Sequence, residues 1–465
     1  MSRRRALLLA LGFASLAGAS QIVPSPENAA DKPAGLGSSA DFSTAPRVNV
    51  DKPVELIPLY LRDKRIHGLK PLQELIDKAP AGGELKVPAG NYAGPVHLKK
   101  PLAIIGEGKV VIDGGDKGTV FVIETNSAIL RNVTITGSGP SHDSDDGCLN
   151  VRGHGNTIEN VTIDDCLFGI DLKQSDQNVV RGNRIRSKDV ELGVRGDGLR
   201  LWYSNRNLIE NNEIVDTRDM VAWYSHNNNF RGNVGRRSRY SIHFMFANNN
   251  IVENNKFYDN AVGVYFMYME GGVARNNLIS HATGATGMAF GFKESSDILI
   301  ENNEIIYCGV GVGSDLSPFQ PDTTIRFKGN RFAYNGIAVQ LTSELGGNIS
   351  TDNVFEGNLT DIFQAGRGKG DQNKWSGNYF DSYQGFDRDN DGMGDKPHEH
   401  FAYADQIWME IPDARFFKSS PVMELLDFLE RLAPFSSPEL QLRDEKPRFN
   451  KPPRALSVTS PSGTS

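Results

Sequence analysis

Between Gly198 and Asn277 the chain repeats itself. The runs GLRLWYSNRNLIENNEI, MVAWYSHNNNFRGNV, IHFMFANNNIVENNKF and VYFMYMEGGVARNNLI follow one template, Gly-Ile-x-Leu-x-x-Ser-x-x-Asn-x-Ile-x-x-Asn-x-Ile. Its last asparagine falls at Asn212, Asn233, Asn255 and Asn277, about 21 or 22 residues apart. A short period with alternating apolar residues and Asn/Gly turns is the mark of a β-solenoid. One coil cannot bury its apolar side alone, whereas stacked coils can, so the repeat predicts an all-β, right-handed parallel β-helix. Related asparagines at Asn132, Asn160, Asn183, Asn303, Asn330, Asn353 and Asn378 extend the series in both directions. The wider gaps predict loops, supplied by the inserts SHDSDDG, KDVELGV, SHATGA and SPFQPDTT.

Composition fits a turn-rich solenoid, with 48 glycines in 465 residues. The formal net charge of -7 gives no basic surface for nucleic acid. Arg3, Arg4 and Arg5 precede the apolar run from Ala6 to Ala17, with small residues to Ala19. This reads as a cleavable export signal over residues 1–19. Ser2-Arg3-Arg4 only partly echoes a twin-arginine signal, so the general secretory route is the simpler expectation. After it, no stretch approaches the roughly 20 apolar residues needed to span a membrane. Three cysteines, Cys148, Cys166 and Cys308, leave at least one unpaired within the chain. Each is expected to be a buried free thiol.

Residues 20–53 are rich in Ala, Pro, Ser and Gly and read as a disordered leader. The solenoid, with an N-terminal cap, spans 54–380. Leu72, Leu75 and Ile76 give LKPLQELIDKA (69–79) one apolar side, and a helix there would cover the open first coil. Residues 381–435 hold the acidic run DRDNDGMGD and a helix from Pro421 to Leu432. Met423, Leu425, Leu426, Phe428, Leu429 and Leu432 give that helix a wide apolar face, either a second cap or a docking surface. A disordered tail is expected over 436–465, clearest from 445 onward.

Strand residues alternate faces, so the template assigns orientation. Leu199 and Leu201 point inward and Arg200 and Trp202 outward. Counting back 12 and 10 residues from each terminal asparagine gives two outward columns. They read Cys148 and Asn150, Asp171 and Lys173, Arg200 and Trp202, Val221 and Trp223, His243 and Met245, Tyr265 and Met267, then Gly291 and Lys293. Tyr203, Tyr224, Phe246 and Tyr268 fall at the edge of the turn. Neighbouring coils stand about 4.8 Å apart, and His243 lies roughly 7 Å from Met245 along its strand. An imidazole with two thioethers, Met245 and Met267, suits Cu(I) rather than Mg²⁺ or Ca²⁺. The same stripe, with Trp202, Trp223 and Tyr265, also suits a partner-binding face without metal. Met220 and Met269 belong to the packing, and His226 at a turn is ambiguous.

Asp387, Asp389, Asp391 and Asp395, with Gly392 at the sixth position, resemble half of an EF-hand loop for Ca²⁺. Where that loop needs its distal glutamate, this chain has His398. Gly153-His154-Gly155 looks like one element of a polygalacturonase site, but the acidic motifs and Arg-x-Lys that should accompany it do not line up. The carboxylate pairs Asp145/Asp146 and Asp164/Asp165 are adjacent in sequence and so point to opposite faces, which makes poor acid/base couples. No catalytic residue is expected.

The runs GDGLRLWYSNRNLIENN, RDMVAWYSHNN, RYSIHFMFANNN, LFGIDLK (167–173), GNRFAYNGIAVQL (329–341), GNYFDSYQGFDRDNDGMGD (377–395) and SPVMELLDFLERLAPF (420–435) resemble the NosD family. The likeness covers about residues 55 to 443. It implies an exported, periplasmic, non-enzymatic protein that takes part in delivering copper to nitrous oxide reductase. The implied partners are the ABC transporter subunits NosF and NosY and the copper chaperone NosL. The family's HFM segment falls on His243, Phe244 and Met245, and its FMY segment on Phe266, Met267 and Tyr268. The terminal helix would then dock on the membrane subunit through Leu425, Phe428 and Leu429. Two other readings stay open, a carbohydrate-active β-helix (lyase or epimerase) and a metal-free scaffold for the reductase.

Overall fold

The computed structural model describes residues 66–284, 286–342, 346–364, 372–402, 420–422, 425, 428–429 and 439–453. The expected signal (1–19) and leader (20–53) lie outside them. The described strands form a twelve-stranded parallel sheet and a 27-stranded sheet that supplies the other sides of each coil. Every strand of the twelve-stranded sheet pairs with the equivalent strand of the next coil, as Tyr240–Met245 pairs with Val262–Met267. The core is a stack of apolar columns. Phe244, Phe266 and Phe292 are fully buried, with ring centroids 5.6 Å and 5.2 Å apart along the column. Met220 and Met269 are buried in the same core.

The repeating asparagine has a specific task. From Asn183 the side-chain amide of each donates to the side-chain oxygen of the next, through Asn212, Asn233, Asn255, Asn277, Asn303, Asn330, Asn353 and Asn378, at 2.9 to 3.0 Å. That oxygen also accepts the backbone N–H of the preceding asparagine, as at Asn233 to Asn255 (2.8 Å). Buried turns keep their polar groups paired in this way. Asn132 and Asn160 do not belong to this ladder. They stand at positive φ (59° and 54°), one residue earlier in the turn, where later coils carry Gly182 and Asn211. Val161 occupies the ladder position instead, its N–H donating to Asn183.

On a different side, one outward column alternates in sign over nine coils: Arg131, Glu159, Arg181, Glu210, Arg231, Glu253, Arg275, Glu301 and Lys328. Neighbours pair along much of it, including Arg181–Glu159 (3.2 Å), Arg231–Glu210 (2.7 Å) and Arg275–Glu253 (2.7 Å). Long charged side chains of alternating sign cover this surface, so that neighbours along it attract.

The structure differs from expectation in three ways. The N-terminal helix is shorter, Gln73–Lys78, because Lys70–Pro71 pairs with Tyr92–Ala93 before the chain can turn. Leu72 and Ile76 are nonetheless buried against the first coil. Cys148 and Cys166 are not free thiols. They form a disulfide, since the excursion between them returns Cys166 to 5.6 Å (Cα–Cα) from Cys148. Cys308 is the buried free cysteine, its thiol pushed up to about 12 by burial. Third, the expected disordered tail contains a strand. Glu439–Asp444 pairs antiparallel with His398–Ala402, and Asp444 aligns with Trp375 of the last coil. The Asp444 carboxylate accepts from the Asn378 amide (2.8 Å), the Asn378 backbone (3.0 Å) and the Gly377 backbone (3.2 Å). A side-chain acceptor from the tail thus ends the asparagine ladder. Beyond it, Arg448 reaches Asp352 (2.6 Å) and Lys451 reaches Glu356 (2.5 Å). Residues 454–465 lie outside the described residues.

Candidate functional site

The strands Phe168–Lys173, Leu199–Trp202, Asp219–Trp223, Tyr240–Met245, Val262–Met267 and Met288–Lys293 lie side by side in the twelve-stranded sheet. Their registers align Asp171, Arg200, Val221, His243, Tyr265 and Gly291 in one column, and Lys173, Trp202, Trp223, Met245, Met267 and Lys293 in the next. These are the outward columns read from the sequence, with one correction. Asp171 aligns with Asn150, and Cys148 lies inward, buried in its disulfide. The count failed there because Asn150 stands 11 residues before the ladder position Val161, whereas Asp171 stands 12 before Asn183.

His243 is the central polar group of this face. Only 8% of it is exposed, and neither ring nitrogen has a hydrogen-bond partner. Tyr240 stacks on the imidazole at 4.7 Å, and Tyr265 meets it edge-on at 5.9 Å. Burial pushes its pKa down to about 4. Asp219 opposes that shift, while Arg239 and Arg218 reinforce it. A neutral imidazole with a free lone pair, in a dry setting, is a competent soft-metal ligand. Met245 and Met267 are paired neighbours on adjacent strands, both half-buried, two positions further along. His243 and the two thioethers therefore lie on one face, within the span of two strands.

Beside His243 runs a buried charge network. Arg218 donates to Asp197 at 3.0 Å. Arg239 donates through Nε to Asp219 at 3.0 Å and through Nη2 to the other carboxylate oxygen, and its guanidinium lies 5.0 Å over the Tyr240 ring. Asp197 and Asp219 are almost fully buried. Both of these carboxylates have arginine partners, so neither is a free general acid or base.

A feature that sequence reading placed only at the turn edge is an aromatic ladder. Tyr203, Tyr224, Phe246 and Tyr268 stack with centroids 4.8, 5.2 and 4.8 Å apart. All four have φ between 47° and 55°, a conformation unfavourable for bulky residues. The signal was there, an aromatic one residue after each outward pair, but the left-handed turn that lines them up is not visible in the alternation. Trp202 and Trp223 pack edge-on at 5.0 Å beside this ladder. Toward the N-terminus the inserts 141–147 and 188–194 meet, His142 Nε2 lying 3.0 Å from the Val194 carbonyl. There the outward column is taken up by Arg200, which binds Asp171 and Asp145 (both 3.0 Å) and lies 4.5 Å over Phe168.

The other candidates fall elsewhere. Asp387, Asp389 and Asp391 bring carboxylate oxygens within 4.8 Å of one another. Yet these carboxylates accept N–H groups of their own loop, from Asp391, Gly392 and Met393. Asp395 is not part of the group and accepts from the Arg388 backbone (2.8 Å). His398, at the position of the distal glutamate, is buried and stacks on Phe380 at 4.2 Å, so it cannot complete a Ca²⁺ set. His226 and His154 are structural, each accepting a backbone N–H from the next coil through Nδ1 (3.0 and 3.1 Å). Of the terminal helix, Pro421, Val422, Leu425, Phe428 and Leu429 are described and helical. Val422, Leu425, Phe428 and Leu429 are exposed. Met423, Leu426 and Leu432 lie outside the described residues.

A family model described as periplasmic copper-binding protein (NosD) matches residues 187–385, the stretch that holds His243, Met245 and Met267. A right-handed β-helix model matches residues 118–244. The probable ABC transporter binding protein NosD of Pseudomonas aeruginosa is 27% identical over 85% of this chain and 95% of its own. The chain is a right-handed β-helix protein similar to NosD. The corresponding protein of Stutzerimonas stutzeri is 24% identical over 82% of this chain and 90% of its own. The catalytic domain of a GH87 α-1,3-glucanase with nigerose overlaps 63% of this chain and 64% of its own, with 14% identity and a TM-score of 0.49. No helix among the described residues is long and apolar enough to cross a membrane.

Proposed function

We propose that this protein is an exported, periplasmic accessory that accepts Cu(I) and presents it to nitrous oxide reductase while the copper sites of that enzyme are assembled. It catalyses no reaction itself. A NosL-type chaperone supplies the copper, and transporter subunits of the NosF and NosY type supply the energy, since the chain has no phosphate-cradling loop of its own. The observation that carries this reading is His243, with both ring nitrogens buried and unpartnered, on one face with Met245 and Met267. Unpaired buried nitrogens cost free energy unless a ligand uses them. Exposed Leu425, Phe428 and Leu429 would form the contact to the membrane subunit.

Anaerobic Cu(I) titration of the full chain against a chromogenic chelator tests it. Binding near one equivalent is expected, reduced at least tenfold in affinity by His243→Ala with Met245→Ala. Unchanged binding by that double variant would place copper elsewhere. The aromatic ladder, with Tyr203 and Phe246 exposed and Tyr224 and Tyr268 half-buried, favours a second reading, a metal-free scaffold that grips the reductase through these four rings. Absence of Cu(I) binding, together with retained association with the reductase, would favour it.

A further inference from the structure

Past Tyr265 the outward column holds Gly291 and Gly313 before Gln340 restores a long side chain. Neither glycine has a positive φ, so backbone conformation does not call for glycine at these two positions. Space does. A Cβ on Gly291 would collide with the Tyr265 ring and stand 2.9 Å from the sulfur of Met288. A Cβ on Gly313 would stand 3.2 Å from the same sulfur. The two glycines therefore form the floor of a trough occupied by the Tyr265 ring and the Met288 thioether, which both lie over Gly291, a pairing of the sulfur–aromatic kind. Met288 is half-buried, unlike the core methionines Met220 and Met269.

We infer that Met288 is a further soft ligand, a second and weaker station for Cu(I) on the far side of Tyr265 from His243. This rests on the copper reading of the His243 face. His243 and the Met288 strand are separated by the Tyr265 strand, about 10 Å at 4.8 Å per strand, too far for one ion to touch both. Cu(I) would leave the His243 set and form one copper–thioether bond at Met288, backed by the face of Tyr265. Only ligands exchange, and no electron or proton is transferred. A single thioether holds copper loosely, which suits a position from which the ion must depart.

The test uses full-length protein with ¹³C-methyl methionine, titrated anaerobically with Cu(I) and followed by the nine methionine methyl signals. Met245→Leu, Met267→Leu and Met288→Leu assign the three that matter. The Met245 and Met267 signals should move during the first equivalent. Met288 should move in a later phase with a midpoint at least tenfold higher, and Gly291→Ala should remove that phase alone. If Met245 and Met267 move while Met288 stays still to full saturation, the second station is wrong and the His243 site stands. If no methionine signal moves, both are wrong.

Discussion

Tyr240 lies on the imidazole of His243, ring centroids 4.7 Å apart and planes 22° from parallel. Arg239 sits on the same tyrosine ring and is itself held by Asp219. A chain of contacts thus runs from a buried carboxylate through a cation and an aromatic ring to the one histidine with free nitrogens on this face. It positions the ring and keeps water from it.

The first consequence concerns pH. His243 is held neutral down to about pH 4. Cu(I) affinity should then change by less than about twofold between pH 8 and 5.5. An ordinary imidazole would lose roughly tenfold over that range, as protons compete for it. Tyr240→Ala should restore the ordinary dependence by letting water reach the ring. Chelator competition at several pH values measures this.

Acid should also weaken the fold. In the unfolded chain both His243 and His398 take up a proton near pH 6.5, whereas the folded chain refuses it until about pH 4. The unfolded state binds more protons in that window, so stability falls as pH drops through it. Each histidine accounts for about 2 kcal/mol by pH 5. Asp197 works the other way. Burial raises it to about 6, against Arg218, so the folded state gains its proton first and part of the loss is offset. Urea midpoints of wild type and His398→Phe at pH 7.5 and 5 should show the variant losing less between the two.

The ladder makes a sharper demand. Asn255→Ala removes the acceptor of the Asn233 amide and backbone N–H, and the donor to the Phe230 carbonyl. Losing these three buried hydrogen bonds should cost about 3 kcal/mol, although the Asn233 amide keeps its bond to the Ile209 carbonyl. Asn227→Gly, at an exposed turn with φ of 57°, should be close to neutral. Urea denaturation of the two variants tests the contrast.

At the C-terminal end, Asp444 stands where another ladder asparagine would be. Asp444→Asn should therefore be milder than Asp444→Ala, since it keeps an acceptor oxygen for Asn378 and loses only the one that accepts the Gly377 and Lys446 backbone N–H groups. Asp444→Ala should fray the last coil, with faster hydrogen exchange across residues 348–380. Equal exchange in the two variants would show that the tail does not close the solenoid.

The solenoid was legible because its signal is repeated many times, and one mistaken coil does not hide it. The outward columns from Asp171 onward were legible for the same reason. What failed depended on single coils. The path from Asn150 to the ladder position Val161 is one residue shorter than that from Asp171 to Asn183, and that slip carried Cys148 into the outward column and hid its disulfide with Cys166. The strand Glu439–Asp444 was hidden in a polar, proline-rich composition because its pairing partners lie far away in sequence. The burial of His243 was also out of reach of the pattern. Alternation says that its side chain points away from the core, but only packing shows that Tyr240 and Tyr265 cover it.

The alternating column from Arg131 to Lys328 gives the molecule a second periodicity. The backbone repeats every coil, but charge repeats every second coil. Excision of one coil between Glu159 and Glu301 would set two arginines or two glutamates face to face, whereas excision of two adjacent coils would leave every junction of opposite sign. Along this edge the solenoid carries a parity rule. It can be lengthened or shortened freely only in steps of two coils, although its hydrophobic core would accept a step of one.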